Sequence, residues 1–433
     1  MECSDLEKLF RKIRREIEVT CGFVHFFFHY TFHDLRHYRN MDEYLSHLGY
    51  RRLELSYPEL FILRMAIYLH DMGMFLNPRY WSELKIHKED LLICNEDPVE
   101  KLRKNLLVDV LMRKMKTSFE DEFFDESGFL RFPPKMMGKT WDSFDLIDKA
   151  GIREVMRVLH PQVGAGGARR FIPRCDRVAS AVSSIIRLHE CKTAEAFRYL
   201  GHEEVGGEDV DLRKLAAILV LLDSIDCSRR RASPEALEEI TDEIRMLEEE
   251  IIEIESEKSS NHGYLSHWIF KRHIKRIEIE GSSITIVSDT SSPAHVAGMI
   301  FFEMANNVLP RFIAAKDMLS EYGVALNLFL RIPGLTAPIY LDERIMDAGR
   351  SFCSIFTGFP DWASRWKRRY GSREFTLPRV LALLLGGQRE LGMRDPTDKI
   401  NSFAAEHVCK LLESEKLSDS QRAALLEIFK CVD

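Results

Sequence analysis

The dyad His70-Asp71 closes a run from Leu60 to Leu69 that is apolar except for Arg64. An imidazole and a carboxylate are costly to bury unless a cation or a hydrogen-bonding group receives them. Upstream, His25, His29, His33 and His37 recur every four residues. Downstream, His160, His189 and Asp223 each end a further apolar helical run. Several segments thus deliver nitrogen and carboxylate donors from hydrophobic walls, which points to a bound divalent metal and to the water-activating chemistry such an ion supports.

Spacing says what the helices must do to bring these groups together. His33 and His37 lie one turn apart on one face, so one ring can bind metal while the other gives a proton. The competing reading is an aromatic core helix, since Phe26, Phe27, Phe28, Tyr30 and Phe32 surround them. Neighbours such as His70 and Asp71 point about 100° apart on a helix. Both reach one site only where the helix ends, and Gly73 is available to end it. Asp223 follows the unbroken apolar stretch Leu215–Leu222, so its carboxylate must be paired, capped or metal-bound. A salt bridge to Arg229, Arg230 or Arg231 is the competing expectation, and Asp226 is expected nearer solvent. The Gly164-Ala165-Gly166-Gly167 stretch before Arg169-Arg170 reads as a turn, with a phosphate-binding loop of exposed N–H groups as the competing expectation. Arg36, beside His37, is a further candidate for holding substrate.

The whole chain has 433 residues, 30% of them charged and 45% hydrophobic, with a net charge of −7. That length calls for two or three domains, and that charge does not favour broad nucleic-acid binding. Nine scattered cysteines without a Cys-x-x-Cys suit a reducing compartment. With a polar N-terminus and no apolar stretch near the ~20 residues of a membrane span, the cytoplasm is the expected location and a membrane role is not expected.

The expected fold is mainly α. Residues 1–232 read as a helical core with an insertion at about 76–148, which is expected to be lid-like or peripheral and to hold one clear helix near 98–117. Residues 233–262 read as a coiled helical arm folded against its own domain, with pairing of two copies of the chain through the seam at 235–258 as the alternative. Residues 263–341 read as a small α/β module with a β-hairpin around Gly281-Ser282, and 342–433 as a C-terminal helical region.

His37, His70-Asp71 and Asp223, in this order on successive helices, resemble the metal-binding signature of the HD-domain phosphohydrolase superfamily. The resemblance implies an all-helical HD core over roughly residues 20–230. It implies His37, His70, Asp71 and Asp223 as ligands, and His160 and His189 as ligands of a second ion bridged by Asp71. By the same resemblance His33 and Asp71 are catalytic, His33 as acid for the leaving group. One or two ions of Mn, Fe, Co, Ni, Zn or Mg are expected, with imidazole-rich ligation favouring the transition metals. The accessory regions resemble HD proteins predicted to be effectors in prokaryotic conflict or stress systems. Glu190-Cys191-Lys192 replaces the Gly-Tyr-Pro of cyclic-di-GMP hydrolases, and the Glu-Asp pair linked to ppGpp hydrolysis is absent after the dyad.

The expected function is a phosphohydrolase or phosphodiesterase acting on a nucleotide or related phosphoester, with Arg36, Arg169 and Arg170 holding phosphate. A nuclease acting on single strands is the first alternative, for the sake of Trp362, Trp366 and the basic residues at 365–369. A nucleotide-sensing scaffold without turnover is the second, and a di-iron oxygenase the most distant.

Overall fold

The computed structural model describes residues 8, 10–15, 35–92, 97–172, 175–232, 270–288, 303–331 and 338–343. These are mainly helical. They divide between two compact units, one from Met1–Phe28, His33–Asp223 and Ala314–Val324, the other from His29–Phe32, Ser224–Ile313 and Ala325–Asp433. His25, His29, His33, the 235–258 seam and the basic residues at 365–369 lie outside the described residues.

The first unit holds helices α1 (Leu35–Leu48), α2 (Tyr57–Leu69), α3 (Met72–Phe75), α4 (Trp81–Leu84), α5 (Pro98–Arg103), α6 (Leu106–Met115), α7 (Phe119–Phe123), α8 (Leu146–Phe171), α9 (Asp176–Arg187) and α10 (Leu212–Ile225). Helix α2 starts where the sequence says it must. Ser56 and Glu59 form a reciprocal capping box, and Pro58 sits in the first turn where its missing N–H does no harm. Lys214, in the first turn of α10, then binds Glu59 at 2.8 Å and donates to the Glu54 carbonyl at 3.1 Å. This clamp ties the starts of α2 and α10 together. Their far ends carry His70-Asp71 and Asp223.

Helix α8 is buried nearly all round, which is why it shows no clean apolar stripe. One face packs Ile152, Val155, Leu159 and Val163 against Trp81, Leu102, Leu111, Phe123 and Leu130 of the insertion, all of them fully buried. The insertion thus shares one packed core with α8. The single helix expected near 98–117 is two. Asn105 interrupts it and caps α6 by accepting from the N–H of Leu107 at 3.0 Å.

A second departure lies within the helical core, where β1 (His202–Val205) and β2 (Glu208–Asp211) form an antiparallel hairpin. Gly206 and Gly207 turn it, both at positive φ, as a tight two-residue hairpin loop demands. The strands are short and acidic, so apolar alternation does not announce them.

In the second unit, β3 (Ile274–Glu280) and β4 (Ser283–Ser288) form an antiparallel hairpin with Gly281 at positive φ. β4 then pairs in parallel with β5 (Asn327–Arg331), and β5 antiparallel with β6 (Ile339–Leu341). A parallel pair needs a crossover, and α11 (Leu309–Ser320) lies in that connection. Asp226 is not near solvent but 1% exposed, because Arg231 meets it at 3.8 Å and donates to its carbonyl at 3.2 Å. Among the described residues no helix is long and apolar enough to cross a membrane.

Candidate metal centre

Helix ends build this site. Helix α2 stops at Leu69; His70 caps it in helical geometry, and Asp71 swings to φ −91°, ψ 4° before α3 begins. The break between the two residues is what lets both side chains enter one cavity. Gly73 does not end α2 but belongs to α3, where a Cβ would lie 2.1 Å from the carbonyl oxygen of His160 and 2.8 Å from the nitrogen of Gly164. Gly164 in turn is tightly packed, since its own Cβ would stand 3.0 Å from the carbonyl oxygen of His70 and push it back by a few tenths of an ångström. These glycines bring α3 and α8 into backbone contact. The turn, or anion-binding loop, expected at 164–167 is thus interior helix with its N–H groups already engaged, and the expectation is corrected.

His189 follows α9, and Asp223 lies in the last turn of α10. Three helices therefore present their C-terminal, electronegative ends to the cluster, a field that favours a cation. His160 is different. It sits inside α8 rather than at the end of a run, next to Pro161. Pro161 has no N–H for the carbonyl of Arg157, four residues back. His160 takes that vacated acceptor, donating from Nδ1 at 2.6 Å. His70 donates likewise to the carbonyl of Ile67 at 2.9 Å and His189 to that of Ile186 at 2.7 Å. With Nδ1 committed as donor, the neutral rings turn bare Nε2 lone pairs inward.

Those Nε2 atoms crowd together. His37 and His70 face each other at 3.1 Å, and His160 and His189 at 2.8 Å. Two lone pairs at that distance repel unless a proton or a metal ion lies between them. Asp71 stands between the two pairs. Its Oδ2 is 3.0 Å from His70 and 3.4 Å from His37, and its Oδ1 is 3.6 Å from His160 and 3.8 Å from His189. Asp223 Oδ1 completes the first pair at 3.4 Å from His37 and 3.8 Å from His70. Donors held at ~2.1 Å from one ion stand roughly 3.0–3.4 Å apart around it. The spacings match that closely enough for the donor set to fit a metal ion, and His37, His70 and Asp223 on one side, and His70, Asp71 and His189 on the other, each bring donor atoms within 4.8 Å of one another.

A family model matches residues 27–303, more than half of the chain. The chain belongs to the HD-CE family. It is an HD-domain protein, of a metal-dependent hydrolase family. No curated protein and no solved structure matches it.

In this HD-CE protein the two halves of the cluster carry opposite electrostatics. Burial disfavours the charged His70 ring, but the charges of Asp71 and Asp223 outweigh it and lift the imidazolium to about 10. Burial also opposes charge on His189, and there the neighbouring His160 and His70 push the same way, down to about 4. The acids thus dominate one half and the imidazoles the other. Asp223, with 11% of its side chain exposed, is the most accessible of the six groups, so solvent approaches from its side.

Of the remaining expected site residues, Arg36, Arg169 and Arg170 do not join the cluster. Arg36 is exposed on α1. Arg169 and Arg170 are exposed in the last turn of α8, about 14 Å along the axis from His160, and Arg170 pairs with Glu83. His33 lies outside the described residues. Conversely, sequence reasoning passed over Tyr38, fully buried with its ring centroid 5.6 Å from that of His37 and 5.8 Å from that of His70. It also passed over Pro161, whose position directly after a histidine was the available signal.

Proposed function

We propose that this HD-CE protein is a phosphohydrolase or phosphodiesterase acting on a nucleotide or related phosphoester, with His37, His70, Asp71, Asp223, His160 and His189 as metal ligands. The observation that carries the reading is Asp71, whose two oxygens face two separate histidine pairs, as a carboxylate bridging two ions would. Divalent ions held there acidify a bound water and neutralise charge on phosphoryl oxygens. Four imidazoles with two carboxylates favour manganese, iron, cobalt, nickel or zinc over magnesium.

The chain's own residues do the rest. The carbonyls of Ile67, Arg157 and Ile186 lock three rings so that their Nε2 atoms stay aimed inward. The apolar walls of α2 and α10 bury His70 and Asp71 almost completely, which strengthens every charge interaction inside. His33, four residues before His37, is assigned the proton that the departing alkoxide takes. Arg36, also beside His37, remains the arginine assigned to substrate, while Arg169 and Arg170 are dropped.

The test is metal analysis of the purified chain together with a screen of nucleotides and bis-p-nitrophenyl phosphate for hydrolysis. Turnover that needs added Mn²⁺ and vanishes in His70→Ala and Asp71→Ala is the expected result. Nucleotide-dependent thermal shifts without product would instead make the chain a sensor, and cleavage confined to oligonucleotides would make it a nuclease.

A further inference from the structure

We infer that Tyr38 is a positioning residue for the metal centre, an aromatic wedge that fixes the rings of His37 and His70 so that their Nε2 atoms converge. The inference rests on the reading of the cluster as a metal site. An imidazole that ligates through Nε2 keeps one loose coordinate, rotation about its Cβ–Cγ bond, and that torsion is broad unless something holds the ring. For His70, His160 and His189 a backbone carbonyl at Nδ1 supplies one hold. A hydrogen bond pins a single ring atom; packing against the ring removes the rocking that is left.

Tyr38 directly follows His37 on α1 and is fully buried. Its ring lies 5.6 Å from that of His37 at 45°, and 5.8 Å from that of His70 at 79°, nearly edge to face. Both separations fall where aromatic rings attract one another with a preferred orientation. His37 comes from α1 and His70 from the end of α2, so one side chain touches both members of a pair that two helices must bring to 3.1 Å. The wedge is itself supported. Tyr68, also buried, stands 5.7 Å from Tyr38; Phe10 meets Tyr68 edge to face at 5.4 Å, and the Arg14 guanidinium lies 5.8 Å from the same ring's centre. A side chain packed into such a row has little room to yield, so it can hold what it touches. The contact is one-sided. Among the described residues the ring contacts of Tyr38 are with His37, His70 and Tyr68, whereas His160 and His189 pack on each other at 4.8 Å. Losing the ring of Tyr38 should therefore loosen the first histidine pair and spare the second.

Co²⁺ loaded into the full chain is the probe, since its visible bands report ligand geometry and competition with a chelator reports affinity. Tyr38→Phe, which keeps the ring, is expected to match the wild type in both. Tyr38→Leu is expected to weaken Co²⁺ binding at one site roughly tenfold, the lower end of the range for groups that orient ligating histidines, and to shift the bands at saturating Co²⁺. Phe123→Leu, a comparable truncation in the apolar core, should do neither. Melting curves check that each variant is folded, and Tyr38→Met, which fills the space without a ring, carries the same expectation should the leucine variant not fold. Wild-type affinity and bands in the ringless variants overturn the inference. So does an equal change in Phe123→Leu, which would make the effect a general loosening, or in Tyr38→Phe, which would give the role to the hydroxyl. A wild type that retains no Co²⁺ overturns the metal centre itself, and this inference with it; a wild type that holds Co²⁺ but hydrolyses nothing counts against the proposed reaction alone.

Discussion

Helix α8 divides two buried clusters of opposite chemistry. On one side Ile152, Val155 and Leu159 meet Trp81, Leu111 and Phe123 in a core of apolar contacts. On the other, His160 and Gly164 bring the helix to His70, Asp71 and His189. The first cluster is satisfied by what the chain supplies. In the second, four imidazoles and two carboxylates are packed so that their donors converge on one another, and a proton or a metal ion between them would relieve the crowding. The difference teaches that the insertion stabilises the wall on which the site is mounted, while the site itself is held by backbone details, a proline and two glycines, that contribute little hydrophobic energy.

Substitutions can separate the two sides. Removing a shared donor has the largest effect: Asp71→Ala should abolish both metal retention and hydrolysis, because both histidine pairs lose their common carboxylate, and a variant still turning over substrate would end the account. Phe123→Ala, in the apolar cluster, should lower stability by about 3–5 kcal/mol in denaturant melts, the usual range for a buried aromatic truncated in a core. Its metal content should be unchanged when folded. Loss of metal there would show that the two faces are not separable.

Pro161→Ala works in the opposite sense. It restores an N–H to compete for the Arg157 carbonyl, so helix α8 gains a hydrogen bond while His160 loses its orienting partner. Metal affinity should fall by roughly 10–100-fold, the range for outer-shell partners of ligating histidines. Competition with a chelator measures it, and an affinity equal to wild type would remove the proline from the account.

Proton linkage sharpens the contrast between the halves of the centre. In the metal-free protein His70 titrates at about 10 against 6.5 for the free ring, so its contribution is fully present below pH 6.5 and is lost as pH rises through 10. His189, held near 4, stays neutral while the unfolded chain takes up a proton, so stability falls as pH drops from 6.5 towards 4. Metal-free protein should accordingly melt highest near pH 6.5 and lower at pH 5 and pH 9. Metal uptake at pH 8 should release about one proton from His70, seen as buffer-dependent heats. A flat profile would contradict both shifts. The smallest effect belongs to Arg170→Ala, whose pair with Glu83 is half exposed. It should change stability by less than about 0.5 kcal/mol and leave KM unaltered.

The convergence of His70, Asp71 and Asp223 was legible in the sequence because burying an imidazole and carboxylates behind apolar runs is costly without a partner to receive them. Tertiary contact was not legible. Gly164 and Gly167 carry the same letters whether they line a phosphate loop or let two helices touch, and Gly73 was equally ambiguous between ending a helix and admitting a neighbour. The second unit's hairpin was readable from period-two alternation around Gly281, whereas the one at 202–211 has Glu203, Glu204, Glu208 and Asp209 where apolar residues would signal strand. Asp226 illustrates a further limit. Its burial depends on Arg231, a pairing that charge counting suggests but whose depth it does not give.

Counting ions per chain tests the bridging carboxylate most directly. Mass-spectrometric metal analysis of protein loaded with Mn²⁺ and freed of excess should find two ions in the wild type, one in His160→Ala with His189→Ala, and none in Asp71→Ala. Equal metal content in all three proteins, or none in the first, would contradict the arrangement drawn around Asp71.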